Sequence, residues 1–141
     1  EYRDPEYWNV GVTANYFANA YLDISNLRRS ANFRLDYDGM EFNDFDSTVA
    51  NELLKQEQFD NYLLWNVIGG KSWRIDDKYI GFFATINNVF GQEYKTGGFE
   101  QSRNSNFRST RDDANNPQEV FAPRYFFGNG TTYYLNLYLR F

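Results

Sequence analysis

Residues 131–141 read TTYYLNLYLRF, with Tyr133, Leu135, Leu137, Leu139 and Phe141 in one register and Thr132, Tyr134, Asn136, Tyr138 and Arg140 in the other. A two-residue period of this kind belongs to a β-strand with one apolar face. Such a face meets either a protein core or, in a membrane barrel, lipid. Phe141 stands in the apolar register and ends the quoted strand on an aromatic anchor.

Composition sets the two options against each other. The chain has 141 residues, a net charge of -5 and a mean hydropathy of -0.71, as a polar soluble domain would. Yet 21% of the residues are aromatic, 14 Phe, 12 Tyr and 3 Trp, and those rings need an apolar partner. No run of about 18 apolar residues exists, so no transmembrane helix is expected. A barrel strand needs only every second residue to be apolar. Cys and His are both absent, which removes disulfides, the usual zinc sites and the common nucleophile–base pairs. The start, EYRDPEYW, has no initiator Met and no apolar leader, so the chain is expected to be processed or part of something longer.

Three further stretches alternate. Over residues 7–22, Trp8, Val10, Val12, Ala14, Tyr16, Ala18, Ala20 and Leu22 share a face. Over 59–73, Leu63, Trp65, Val67 and Gly69 are assigned outward, and over 79–90 Ile80, Phe82, Ala84 and Ile86 align likewise. The fourth strand is expected over 124–141. Between the second and third lies only RIDDK, residues 74–78, a tight turn, whereas residues 23–58 and 91–123 make long connections. Short turns on one side and long loops on the other are the asymmetry of an outer-membrane barrel. The lipid-facing set is then Trp8, Val10, Val12, Leu63, Trp65, Val67, Phe82, Ala84 and Ile86, together with the row on the last strand. A soluble β-sandwich alternates in the same way, but does not need this loop asymmetry. Four strands leave two open edges that hydrocarbon does not tolerate, so a barrel must take its remaining strands from elsewhere.

The stretch INNVFGQEY, Ile86 to Tyr94, resembles the Asn-x-Phe-x-x-x-Tyr signature of TonB-dependent outer-membrane receptors, with Asn88, Phe90 and Tyr94 at the matching positions. PRYFFGNGTTYYLNLYLRF resembles their last strand. WNVGVTANYFANAYLDISNLRR and GGKSWRI resemble stretches of the large receptors that carry a carboxypeptidase-regulatory-like N-terminal domain. The resemblance implies an all-β fold: the last four antiparallel strands of a 22-stranded transmembrane barrel, with a plug domain that these residues do not include. It implies a transporter of scarce nutrients of the siderophore, glycan or peptide class, driven by a periplasmic energy-coupling protein. Tyr133, Leu135, Leu137, Leu139 and Phe141 would be the signal read by the barrel-assembly machinery, with the C-terminus periplasmic and the long loops extracellular. Outer-membrane lipid, the rest of the barrel and plug, and a lipoprotein lid are the implied partners. The alternative is a structural or secretion-associated barrel component without import activity.

The loops hold the remaining candidates. Residues 23–58 carry eight acidic side chains against four basic ones. Asp36-x-Asp38-Gly39 has part of a calcium loop but lacks the further ligands at EF-hand spacing, so a solvated acidic loop is the expected reading. In the second loop Phe99, Arg103, Phe107, Arg108 and Arg111 could meet an anionic or ring-bearing ligand by bidentate pairing and stacking. Loop charges balanced by Glu93, Glu100, Asp112, Asp113 and Glu119 are the competing reading. No catalytic constellation, metal site or cofactor is expected, and the acidic net charge argues against nucleic acid.

Overall fold

The computed structural model describes residues 2–3, 6–102 and 106–141. It is mostly β, with antiparallel sheets, and divides into two units. The first unit comprises Glu1–Ala18, Asn61–Tyr94 and Gly128–Phe141, and the second Asn19–Asp60 and Lys95–Phe127.

The first unit is one open antiparallel sheet. Its strands are β1 (Tyr2–Arg3), β2 (Trp8–Phe17), β3 (Tyr62–Ile75), β4 (Lys78–Asn87) and β7 (Thr132–Arg140), in the order β1-β2-β3-β4-β7. Residues directly opposite in an antiparallel pair project to the same face, so the register tests the alternation residue by residue. Val12, Val67, Ile86 and Tyr133 form one row across four strands. Val10, Gly69, Ala84 and Leu135 form the next, and Trp8, Lys71, Phe82 and Leu137 the one after. Trp73, Ile80 and Leu139 complete the face toward the β3–β4 turn. All the residues assigned outward on these four strands therefore share one face, and a slip of one residue in any pairing would have broken the set. Small residues shape the opposite face. A Cβ on Gly81 would lie 2.5 Å from the Tyr138 hydroxyl and 2.7 Å from the Lys71 carbonyl oxygen, so the Tyr138 side chain needs glycine beneath it.

Strand limits differ from the sequence expectation, for local reasons. β2 stops at Phe17 rather than residue 22, because Asn19 takes a left-handed φ of 58° and ends the alternation. Leu22, expected on the apolar face of that strand, is instead buried in the second unit. β3 runs from 62 to 75 rather than 59 to 73, and Phe59 is buried in the second unit. The turn shrinks from residues 74–78 to Asp76 and Asp77, since Ile75 pairs with Lys78 and Asp76 adopts φ 55°. β4 ends at Asn87, one residue before Asn88 at φ 50°. The stretch 124–141 splits in two. Arg124–Phe127 is a separate strand, β6, paired with β5 (Lys95–Phe99) in the second unit.

That second unit is built from the two long connections, which fold together around a core instead of standing solvated. It contains a 3₁₀ turn (Ala31–Arg34), α1 (Ser47–Leu53), α2 (Phe107–Ala114) and the β5–β6 pair. Phe33, Phe42, Ala50 and Phe107 form the core, with Phe45, Val49, Leu53 and Leu54 packed on it. Val49, Ala50, Leu53 and Leu54 recur at helical spacing and so present one face to it. The Asp46 carboxylate caps α1 by accepting from the Thr48 and Val49 amides at 2.7 and 3.3 Å. Asp46→Ala is expected to cost about 1 kcal/mol, read as faster amide exchange at Thr48 and Val49 with no change at β3 or β4. Asn106 and Ser109 form a reciprocal capping box that starts α2.

Candidate functional site

Two features stand out: an apolar sheet face without a cover, and a loop unit locked by ion pairs. Among the described residues every buried hydrophobic side chain, Leu22, Phe33, Phe42, Ala50, Phe59 and Phe107, belongs to the second unit. The apolar row of the sheet is open by contrast. Leu137 is 75% exposed, and Val12, Tyr16, Ile80, Tyr133, Leu135, Leu139 and Phe141 are exposed with it. A contiguous apolar surface of this kind marks an interaction site. Its three tryptophans, Trp8, Trp65 and Trp73, are all those of the chain.

The Asn88, Phe90 and Tyr94 signature is spread over different tasks. The Asn88 side chain is buried, donates to the carbonyls of Gln92 (2.8 Å) and Asn129 (3.2 Å), and accepts from the Gln92 amide (2.9 Å). Its amide donates to Asn66 Oδ1, and its carbonyl accepts from the Thr131 hydroxyl at 2.8 Å. One residue thus staples the end of β4 to the approach to β7, and the left-handed φ that Asn tolerates aims it there. The Tyr94 ring packs on Tyr62 with centroids 4.4 Å apart and crowds Gly128, where a Cβ has no room. Phe90 is 77% exposed.

Of the loop residues expected at a ligand, Phe107 is the clearest correction. It is 1% exposed and edge-on to Phe33 and Phe45, so it is core. Arg108 and Arg111 both pair with Asp44 of the other long connection, at 2.7 and 2.9 Å, and Arg108 also donates to Asn43 at 2.7 Å. Their guanidinium planes lie over Phe42 and Phe107 respectively. Hydrogen bonds from Arg111 and then Arg108 hold the Asp44 carboxyl below the usual range. The two arginines are thereby committed to clamping one connection to the other. Phe99 remains exposed beside Phe126, and Arg103 lies outside the described residues. In the acidic stretch, Asp36 Oδ1 accepts from the Asp38 and Met40 amides, an Asx turn that occupies the carboxylate locally.

Two further clusters had no signal in the sequence. Glu100, nearly buried, receives two bonds from Arg29 (2.5 and 2.9 Å) and one from the Ser25 amide (2.8 Å). Burial pushes its carboxyl up, but these bonds and the charges of Arg29 and Arg28 outweigh it and hold it below its ordinary value. Glu57 accepts from Lys95 (2.7 Å) and the Tyr125 hydroxyl (2.6 Å), and the Lys95 ammonium sits 3.7 Å from the Tyr125 ring centre. Burial, then the hydrogen bond to Glu57, pushes the Tyr125 phenol up to about 12. Sequence separations of 38 to 75 residues put such pairings beyond any spacing rule.

No protein family, no curated protein and no solved structure matches this chain.

Proposed function

We propose that the sheet is part of the wall of an outer-membrane β-barrel of the TonB-dependent transporter type, and that the second unit is part of the vestibule through which an imported nutrient enters. The uncovered apolar face carries the reading. Six rows from Trp73 to Tyr16 span roughly 33 Å of strand, which a tilt of about 40° shortens to roughly 25 Å, the height of a lipid-facing band. Aromatic residues gather at both limits: Trp8, Trp73 and Phe141 toward the Asp76–Asp77 turn, and Tyr16, Trp65 and Tyr133 toward the long connections. Between them lie Val10, Val12, Val67, Ala84, Ile86, Leu135 and Leu137. Lys71 and Lys78 are the lysines of this face; Lys78 pairs with Ile75 beside the turn and Lys71 stands two rows further in, where a lysine can snorkel to the interface.

The open edges suit the same reading. Among the described residues β7 pairs on one side only and β1 covers two residues of β2, so hydrocarbon would require further strands at both edges. Those strands and the plug would come from outside these residues, with the turn periplasmic and the long connections extracellular. The outward row of β7 carries the alternation that the barrel-assembly machinery reads. Asn88 and Tyr94 supply the family likeness, and their role as a staple and a ring packed on glycine is structural.

The intact polypeptide reconstituted in vesicles of brominated phospholipid tests the proposal. Variants that retain only Trp65 or only Trp73 should show strongly quenched fluorescence, because both indoles would touch lipid. Emission from both sites equal to that in unbrominated vesicles would end the membrane reading.

A further inference from the structure

The apolar face of the sheet is not uniform. Toward the Asp76–Asp77 turn it opens into a cleft of about 330 Å³ walled by Trp73, Ile80, Phe82, Leu137 and Leu139. A volume of this size sits at the small end of ligand pockets. The Trp73 and Phe82 rings stand against each other on the β3–β4 side, with centroids 6.0 Å apart and planes tilted by 38°. Leu137 and Leu139 stand opposite Phe82 and Ile80 on β7.

Two lysines bracket this cleft along the strands. The outward registers of β2, β3, β4 and β7 contain two charged side chains, Lys71 and Lys78, and no carboxylate. In a chain of net charge -5, that is a local excess of positive charge. Lys71 stands opposite Phe82, at the inner end of the cleft. Lys78 stands opposite Ile75, beyond its outer end, with its Nζ 5.5 Å from the centre of the Phe141 ring. Among the described residues neither ammonium is paired with a carboxylate. The acids at this end, Asp76 and Asp77, lie in the turn itself, and Asp77 is 3.8 Å from Arg74 of the opposite face.

We infer that this end of the face binds one anionic phospholipid, with an acyl chain in the cleft and the headgroup phosphate between Lys71 and Lys78. The inference rests on the membrane reading proposed above. A lipid chain gains little by leaving other lipid for an apolar cleft, because both surroundings are apolar. The cleft therefore orders a chain, and the lysines select the headgroup. They are four residues of strand apart, about 13 Å, which two lysine stems can close around one phosphate.

Quenching by brominated lipid tests the site on the intact polypeptide. The vesicles are phosphatidylcholine with a fixed minor fraction of phosphatidylglycerol, and an equal amount of one lipid or the other is brominated. Variants that retain only Trp73 or only Trp65 report the cleft and the far end of the same face. Trp73 should prefer brominated phosphatidylglycerol by about tenfold in relative affinity, the scale of two lysines at a membrane surface, and Trp65 should show little preference. Lys71→Gln combined with Lys78→Gln should abolish the preference at Trp73, and the corresponding double arginine variant should keep it. If Trp73 is quenched without distinguishing the two lipids, the membrane reading stands and the lipid site falls. The site also falls if both indoles show the same preference, which is bulk attraction, or if the double glutamine variant keeps the preference at Trp73. Absence of quenching at either indole removes the membrane reading and the site with it.

Discussion

Leu137→Arg should cost about 2–4 kcal/mol of stability in a bilayer, whereas Asn136→Arg, its neighbour on the opposite face, should cost far less. Leu137 stands opposite Phe82 in the middle of the apolar row and is 75% exposed in the sheet. In water, a charge at an exposed position away from other features usually changes stability by no more than about 0.5 kcal/mol. In hydrocarbon the same charge loses its hydration. Asn136 faces Phe83 across the β4–β7 pair, and its amide donates to the Tyr134 hydroxyl at 3.3 Å, so its side already carries polar groups. The measurement is urea unfolding of the intact protein from lipid vesicles, followed by heat-modifiable migration. Equal effects of the two substitutions would remove the lipid from the argument. Comparable small effects would return the sheet to water, with its apolar face awaiting a protein partner.

The contrast between these neighbours is legible in the amino-acid sequence, because a period of two leaves one choice of face and each pairing then either keeps or breaks it. The outward positions of four strands follow from that period alone, and they meet in rows. Strand ends are not legible. They are set by single residues that take a left-handed φ, Asn19, Asp76 and Asn88, and asparagine or aspartate occurs at many other positions without doing so. The helices of the second unit do leave signals: Asp46 ahead of Val49, Ala50, Leu53 and Leu54, and Asn106 three residues before Ser109. Acidic composition masks them, since charge suggests solvation while the core depends on a few rings. What no pattern supplies is partnership. Arg108 and Arg111 look like free cations until Asp44, more than 60 residues away, is found beneath them.

Glu100→Gln should cost the second unit about 3 kcal/mol, the lower end of what removing one partner of a buried ion pair costs. Glutamine keeps the shape and still accepts a hydrogen bond, but leaves Arg29 and the buried Arg28 without their nearest negative charge. The pH dependence follows from the direction of the shift. The folded-state carboxyl lies below its ordinary 4.5, so its contribution is complete above that value and is lost as pH falls through the lower, folded-state one. Asp44 and Glu57 are shifted the same way, so the informative quantity is the difference between wild type and variant. That difference should be constant above about pH 4.5 and shrink toward zero in stronger acid. Amide exchange at residues 25–30 of the intact protein reads it locally, with β3 and β4 as internal controls. A difference that persisted undiminished into strong acid would mean that the carboxylate's charge is not what holds Arg28 and Arg29, and that its shape in the core matters instead.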